Sequence, residues 1–400
     1  MALFLQELKK IWRPGILAVL VLLGAMYYYV FPSFYIEYFC NGPSSQAQFD
    51  LAAGWAEKYG PTMEPDERAE LDGQLTGEIQ RFDSLIAAIP EAREANLTSY
   101  DDFIAFQDDY LSAARERAQI SPDEERLRQR IIGGTNYYVL KELQDFMEVY
   151  DASCESPYSQ SESFAVNHSP AQQARILALE SGPYGYLPGH SVLQSTWEYG
   201  KDLAVWLVLS VVLLLSPTLV RERLYGIRAM QWTSRRGRQV LGTQFAAGLA
   251  SALALTAANI SLYAAPFLGK GQLVFWDFPL FAHTWGYPWF DWTYGQYLLV
   301  LTALLLTLGL AAGGLTLFLS QYSGNYIAML LKAIPLFIAV GALLGSWLLD
   351  RAFFFRYLDI GEFRFCFPKY TEVLWAGGLL LSGLGLCAWA CRRQNRRELL

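Results

Sequence analysis

Six stretches of the chain are apolar over nearly their whole length, and polar segments separate them. They cover residues 14–31, 203–220, 240–268, 296–319, 326–349 and 373–391. The shortest, of 18 residues, would be about 27 Å long as a helix, close to the membrane hydrocarbon thickness of about 30 Å. The pattern therefore predicts six membrane-spanning helices.

The first 13 residues predict a short amphipathic helix. Its apolar positions are Leu3, Phe4, Leu5, Leu8 and Ile11, and its polar positions are Glu7, Lys9 and Lys10. Such a helix lies in a membrane interface, whereas the alternative is the basic start of a signal peptide. No small-residue cleavage site follows, because Tyr27, Tyr28 and Tyr29 stand there instead. We interpret residues 14–31 as an uncleaved first span.

Residues 35–200 contain no apolar run long enough to cross a membrane, and their signals are helical. Ser99 with Asp102, and Ser121 with Glu124, are typical helix starts. The pair Gly133-Gly134 predicts a kink or break in the helix that begins at Ser121. We expect a mostly helical extracytoplasmic domain.

Charge divides the chain in the same way. The chain is 53% hydrophobic, yet its mean hydropathy is only +0.18. Residues 35–200 hold 28 acidic and 11 basic side chains, a net charge of −17, and the remainder has a net charge of +10. An acidic soluble domain is therefore inserted into a basic membrane domain, so that the chain divides into residues 1–34, 35–200 and 201–400.

Clusters of basic residues predict the orientation of the spans. Residues 221–238 carry six arginines against one glutamate, and arginines also follow the last apolar stretch. Because basic residues concentrate on the cytoplasmic side of membranes, we expect this loop and both termini in the cytoplasm. Six crossings satisfy all the clusters at once.

Three features of the membrane domain each allow two interpretations. Small residues recur at every fourth position of the third stretch, at Gly242, Ala246, Ala250, Ala254 and Ala258. They form a packing face for another helix or subunit, or reflect ordinary alanine richness.

The aromatic loop 269–294 contacts lipid or simply anchors the chain at the outer leaflet. Lys332 is a functional charge or extends to the cytoplasmic surface.

The remaining segments carry little chemistry. Residues 350–372 mix apolar and charged side chains, and we interpret them as a re-entrant or interfacial hairpin. Cys40 and Cys154 form a disulfide or stay unpaired. No phosphate-binding loop or hydrolase motif occurs, and the three histidines are far apart. We expect no catalytic residue, metal site, cofactor or nucleic-acid partner.

The order of elements resembles a type-2 ABC exporter permease, the membrane subunit of an ATP-binding-cassette transporter. The family often has a glutamate at the inner end of the second span, a glycine four residues later, and Gly-Arg or Ser-Arg before the third span. The matching residues here are Glu222, Gly226 and Gly237-Arg238, with Ser234-Arg235 as the alternative pair.

The resemblance implies a coupling helix over residues 225–234, from Tyr225, that docks on an ABC ATPase subunit. Met230 and Trp232 would be its apolar contacts, surrounded by arginines such as Arg235 and Arg238. The alternative is a loop that only sets topology.

The sequence thus predicts an all-α polytopic protein of the bacterial plasma membrane. We expect the permease of an ABC exporter, paired with ATPase subunits and a second permease copy or paralogue. One alternative is an ABC-linked protein that transmits force without moving a substrate. The other is a membrane sensor or scaffold without an ATPase.

Overall fold

The computed structural model describes residues 2–39, 42–116, 121–155, 158–161, 163–182, 189–227, 240–281, 286–360 and 363–396. The chain forms two compact units. The membrane unit contains residues 1–39, 193–276 and 287–400, and the inserted unit contains residues 40–192 and 277–286. Helices dominate both units.

The helices and strands are as follows. The chain begins with α1 (Ala2–Ile11), α2 (Pro14–Val30) and α3 (Phe34–Glu37). Next come α4 (Pro43–Tyr59), α5 (Pro65–Ile86), α6 (Pro90–Glu94), α7 (Tyr100–Arg115), α8 (Pro122–Gly134), α9 (Tyr137–Glu155), α10 (Ser163–Asn167) and α11 (Pro170–Glu180). The rest comprises α12 (Gly189–Leu224), α13 (Val240–Leu268), α14 (Tyr294–Gln321), α15 (Tyr326–Phe337), a π-helical segment (Ile338–Gly345), α16 (Ser346–Leu349), β1 (Tyr357–Ile360), β2 (Phe363–Cys366) and α17 (Thr371–Arg396).

In the inserted unit, helix ends follow the local sequence. The Ser99 hydroxyl accepts a hydrogen bond from the Asp102 amide, and the Ser121 hydroxyl accepts one from the Asp123 amide. These bonds satisfy donors that the first helical turn leaves unpaired, so both predicted helix starts are confirmed. Helix α8 ends at Gly134 and α9 begins at Tyr137, which confirms a break.

The inserted unit is held by its own apolar core. Side chains from α5, α7, α8 and α9 meet there with none of their surface exposed: Phe82, Ile86, Phe103, Ile131 and Leu140. Burial of each such side chain contributes about 1.5–3 kcal/mol relative to leaving it in water. The unit therefore has the interior of a folded domain.

The membrane unit supplies the long apolar helices. Within the described residues, five helical stretches are long and apolar enough to cross a membrane: Val192–Leu224, Val240–Leu268, Tyr294–Gln321, Tyr326–Leu349 and Thr371–Arg396. Helices α1 and α2 meet at a bend of 47°, and together they are also long and apolar enough to cross a membrane. The chain is thus a polytopic helical protein of membrane type, and the number of spans reaches six when the bent pair is counted as one span.

Helix α12 is the central helix of the membrane unit. In its most apolar stretch of 18 residues, 72% of the residues are buried. It remains helical through Pro217. Ser320 of α14 binds on both sides of this proline: its hydroxyl donates to the Ser216 carbonyl over 2.9 Å and accepts from the Leu219 amide over 3.3 Å. These two bonds connect α12 to α14 on both sides of the proline.

The segment between the last two long helices contains an antiparallel β-hairpin, in which Tyr357 pairs with Cys366. The hairpin is an exception to the all-α expectation. The Trp289 amide donates to the Phe353 carbonyl, and the Phe355 amide donates to the Tyr287 carbonyl, each over 2.9 Å. The ring centroids of Trp289 and Phe355 are 4.4 Å apart. These two aromatic side chains therefore pack on each other, and the contact of loop 269–294 with the membrane stays a prediction.

A buried ion pair stabilises this segment. The guanidinium of Arg356 lies 2.8 Å from the Glu372 carboxylate and 4.4 Å from the centroid of the Trp347 ring. Burial lowers the pKa of Arg356, although the nearby Glu372 opposes that shift. Arg356 therefore has an internal partner, so its charge carries little information about the side of the membrane.

Candidate functional site

The glutamate of the predicted coupling motif lies in the last turn of α12 and is buried, with 6% of its surface exposed. Its Oε1 atom accepts a hydrogen bond from Lys10 Nζ over 2.9 Å, and its Oε2 atom accepts one from Gln244 Nε2 over 2.5 Å. Lys10 also donates to Glu7 Oε1 over 2.6 Å. We call Glu7, Lys10, Glu222 and Gln244 the Glu222 cluster. It joins α1, α12 and α13.

The other described residues of the motif form the end of α12. The Tyr225 amide donates to the Arg221 carbonyl over 3.0 Å, and the Gly226 amide donates to the Arg223 carbonyl over 3.2 Å. Gly226 has φ of 66°, a left-handed conformation that glycine adopts without steric cost and that commonly ends helices. Tyr225 is 70% exposed. Glycine at this position is therefore explained by the end of the helix.

The loop that the sequence assigns to ATPase docking lies outside the described residues, which stop at residue 227 and resume at residue 240. This applies to Met230, Trp232, Arg235 and Arg238, and to Gly237. The described part of the site is therefore the pair of helix ends that border this loop.

Two arginines next to Glu222 bind backbone carbonyls. Arg221 Nη2 donates to the Lys10 carbonyl over 3.3 Å, and Arg223 Nη1 donates to the Ser323 carbonyl over 2.7 Å. Arg223 Nη2 also donates to the Gln321 carbonyl at the end of α14. Cations at helix C-termini satisfy carbonyls without a helical partner and interact favourably with the helix dipole. The arginines thus fix the end of α12 to α1 and α14.

Further polar contacts occur at this end of the unit. Gln321 Nε2 donates to Gln394 Oε1 of α17 over 3.2 Å. Lys332 Nζ donates to the Tyr322 carbonyl over 3.0 Å, so its charge reaches the turn between α14 and α15 instead of remaining among apolar side chains. We call this end, marked by Lys10, Arg223 and Gln394, the basic end.

Helix α1 is part of this assembly. The side chains of Phe4, Leu8 and Ile11 pack into the core of the membrane unit, whereas Leu3 and Leu5 are exposed. Its neighbour Trp12 donates from Nε1 to Ser251 Oγ of α13 over 3.0 Å. The amphipathic helix therefore packs mainly on other helices, with only part of its apolar surface left for lipid.

The stripe of small residues on α13 faces away from the packed interior. Gly242, Ala246, Ala254 and Ala258 are exposed and Ala250 is half-buried. The face that contacts α14 carries other small residues. A Cβ atom on Gly248 would lie 2.7 Å from Leu317, and one on Gly313 would lie 2.7 Å from Ala252. The predicted stripe thus remains available to lipid or to a second subunit.

The site is suited to a mechanical role. Both carboxylate oxygens of Glu222 accept hydrogen bonds, so the group serves as an anchor for two side chains.

In the described parts of the chain, no group of three His, Cys, Asp or Glu side chains could hold a metal ion. Cys154 has a free and exposed thiol, while Cys40 lies outside the described residues.

Sequence reasoning selected Glu222 but missed its partners. Lys10 is 212 positions away, and Gln244 is 22 positions away beyond the loop. One signal could have found these partners. A buried carboxylate requires hydrogen-bond donors, and both α1 and α13 carry polar residues at the basic end.

Comparisons with protein families, with curated proteins and with solved structures find no match to this chain.

Proposed function

We propose that the chain is the permease subunit of an ABC exporter in a bacterial plasma membrane. It would pair with an ABC ATPase subunit and with a second permease copy or paralogue, with both termini in the cytoplasm. The observation that carries this proposal is the Glu222 cluster, because it joins three helices at the borders of the predicted docking loop.

The arrangement suits the transmission of force. The loop of residues 228–239 connects the end of α12, near Gly226, to the start of α13 at Val240. Gln244 lies one helical turn beyond Val240. A displacement of the loop therefore acts on α12 and α13 together. Through Lys10 the same displacement acts on α1, and through Arg223 it acts on the end of α14. An ATPase docked on the loop would thus move several helices at once.

Charge supports the proposed orientation. The basic end carries Lys10, Arg221 and Arg223, and the undescribed loop between α12 and α13 adds four more arginines. The inserted unit is a long domain, and long domains cross membranes largely regardless of their charge, so the basic clusters of the short segments determine the proposed orientation. ATP is then hydrolysed by a cytoplasmic partner, since the chain has no phosphate-binding loop of its own.

Purification of the tagged chain from its native membranes in mild detergent tests this proposal. We expect an ABC ATPase to co-purify in a fixed ratio and to be lost when Met230 and Trp232 are both replaced by aspartate. Aspartate in place of two apolar contacts introduces charges that an apolar groove cannot accommodate. Mass spectrometry identifies the partner and measures the ratio.

The matched control is the double variant Leu111→Asp and Val166→Asp, which changes two exposed apolar side chains of the inserted unit. This control should retain the ATPase. Recovery of no ABC ATPase with the unmodified chain would contradict the proposal and favour a sensor or scaffold. An ATPase retained by the Met230 and Trp232 variant would place docking outside the loop.

A further inference from the structure

A groove of about 610 Å³ opens on the side of the membrane unit, between α2, α12 and α13. Its volume lies within the range of about 300–1,000 Å³ that is common for ligand sites. The side chains that line it include aliphatic and aromatic residues and none that is charged. Val21 and Leu262 at its edges are 72% and 69% exposed, so the groove is open sideways.

The floor of the groove satisfies its own polar groups. Trp206 Nε1 donates to Asn259 Oδ1 over 3.3 Å, and Asn259 Nδ2 donates to Ser210 Oγ over 3.2 Å. Ser210 Oγ in turn donates to the Leu207 carbonyl over 2.9 Å. These bonds remove much of the need for a polar partner, so an apolar occupant can lie on this floor with little desolvation penalty.

Gly24 determines the depth of the groove. A Cβ atom at this position would lie 2.9 Å from the Trp206 ring, closer than atoms normally approach. The Tyr263 hydroxyl also donates to the Gly24 carbonyl over 2.8 Å. The absence of a side chain therefore lets α2 approach α12 and α13 behind the groove while its front stays open.

The length of the groove can be compared with the thickness of the membrane. On α2 the groove extends from Leu17 to Tyr29, which is about 18 Å at about 1.5 Å per residue. The length is close to one hydrocarbon leaflet, which is about half of 30 Å.

The end of the groove remote from the basic end is aromatic. Tyr28 and Tyr263 meet edge to face with ring centroids 5.4 Å apart, and Tyr29 is 81% exposed. Tyrosine side chains concentrate at the headgroup level of membranes, because the ring is apolar and the hydroxyl is polar. An occupant with an apolar chain would thus have its polar end beside these tyrosines.

We propose that the groove binds one acyl chain of a membrane lipid, with the lipid headgroup beside Tyr28 and Tyr29. The lipid fills the open side of the contact between α2 and α13. This inference goes beyond the proposed transport function and does not depend on an ATPase partner.

Photo-crosslinking in liposomes tests the lipid site. The full-length chain is reconstituted with phosphatidylcholine that carries a diazirine in one acyl chain, illuminated and mapped by peptide mass spectrometry. We expect labels to concentrate on groove residues such as Leu20, Leu255 and Leu262. The variant Ala25→Trp fills the groove and should lose this labelling, because Ala25 lines it.

Val19→Trp is the matched control. Val19 is 52% exposed on the face of the same helix opposite the groove, so the variant should label like the unmodified chain. If Ala25→Trp does not give a monodisperse protein, Leu262→Trp provides the same obstruction from α13. Retention of groove labels in a folded filling variant overturns the proposal.

Two results with the unmodified chain would also overturn it. One is labelling of the groove no stronger than that of Leu331, which is 68% exposed on α15. The other is a groove without lipid labels in which Val21→Cys forms a disulfide between two copies, because a second chain would then occupy it.

Discussion

A buried carboxylate must find donors, and Glu222 finds them far away in sequence. Its nearest cations along the chain, Arg221 and Arg223, bind backbone carbonyls of other segments. Lys10 and Gln244 bind the carboxylate itself. The family motif drew attention to Glu222, although the local sequence does not identify the residues that contact it.

The first prediction concerns the link between Lys10 and Glu222. We expect Lys10→Met and Glu222→Gln each to lower the thermal stability of the purified chain, and the double variant to lose less than the sum. The coupling free energy should be about 1 kcal/mol, since hydrogen bonds to charged groups contribute about 1.5–3 kcal/mol and Lys10 is partly exposed to solvent. Thermal unfolding in detergent of the four chains measures it.

Lys9→Met is the control for this cycle, because it removes an exposed lysine from the adjacent position of α1. It should be additive with Glu222→Gln. Additivity of Lys10→Met with Glu222→Gln would instead indicate that the link contributes nothing to stability.

At the level of elements, α14 and α17 cross at two glycines. A Cβ atom on Gly383 would lie 3.2 Å from the Ala311 carbonyl oxygen and 3.2 Å from the Leu315 amide nitrogen. Cys387 Sγ lies 3.3 Å from the Gly314 carbonyl oxygen at the same crossing. In lipid, where helices do not associate through hydrophobicity, such backbone approach provides much of the packing energy.

The second prediction compares Gly383→Ala with Gly385→Ala. Alanine at Gly383 should destabilise the membrane unit by about 1–3 kcal/mol, because backbone atoms of α14 cannot yield easily. A Cβ atom at Gly385 meets nothing within 4 Å. There the change should be neutral or stabilise α17 by about 0.5–1 kcal/mol. Melting temperatures of the two variants in one detergent provide the measurement, and equal shifts would refute the assigned crossing.

Local signals predicted the helices well, and distant contacts remained out of reach. The caps at Ser99 and Ser121 depend on neighbouring residues, so the sequence located both helix starts. Gly314 and Gly383 contact each other where α14 and α17 cross, but nothing in the local sequence around either glycine indicates this contact. The regular stripe on α13 was easier to notice, yet it faces outward, because spacing defines a face of a helix and not what covers it.

For the whole molecule, the central question is on which side of the membrane each segment lies. Basic residues concentrate at the basic end and in the loop beside it, and we propose on that ground that the membrane separates this end from the inserted unit. Cys154 provides a natural reporter in the inserted unit, because its thiol is free and exposed.

The third prediction uses this reporter in intact cells. In a chain with Cys154 as its single cysteine, a membrane-impermeant maleimide should label the thiol. A single cysteine introduced as Arg235→Cys should react only after the membrane is permeabilised. The slight burial of the Cys154 thiol, reinforced by Asp151, raises its pKa, so its labelling should accelerate as the pH rises through mildly alkaline values. Labelling of both positions in intact cells would contradict the proposed topology.

The unbroken course of α12 has a geometric consequence. Its 36 residues extend over about 54 Å, far more than a hydrocarbon layer of about 30 Å. A rod of that length amplifies rotation: pivoting by about 6° about one tip sweeps the opposite tip through about 6 Å, roughly one helical pitch. Ser320 bridges the only proline in this rod, and so stiffens the place where such a swing would otherwise be absorbed.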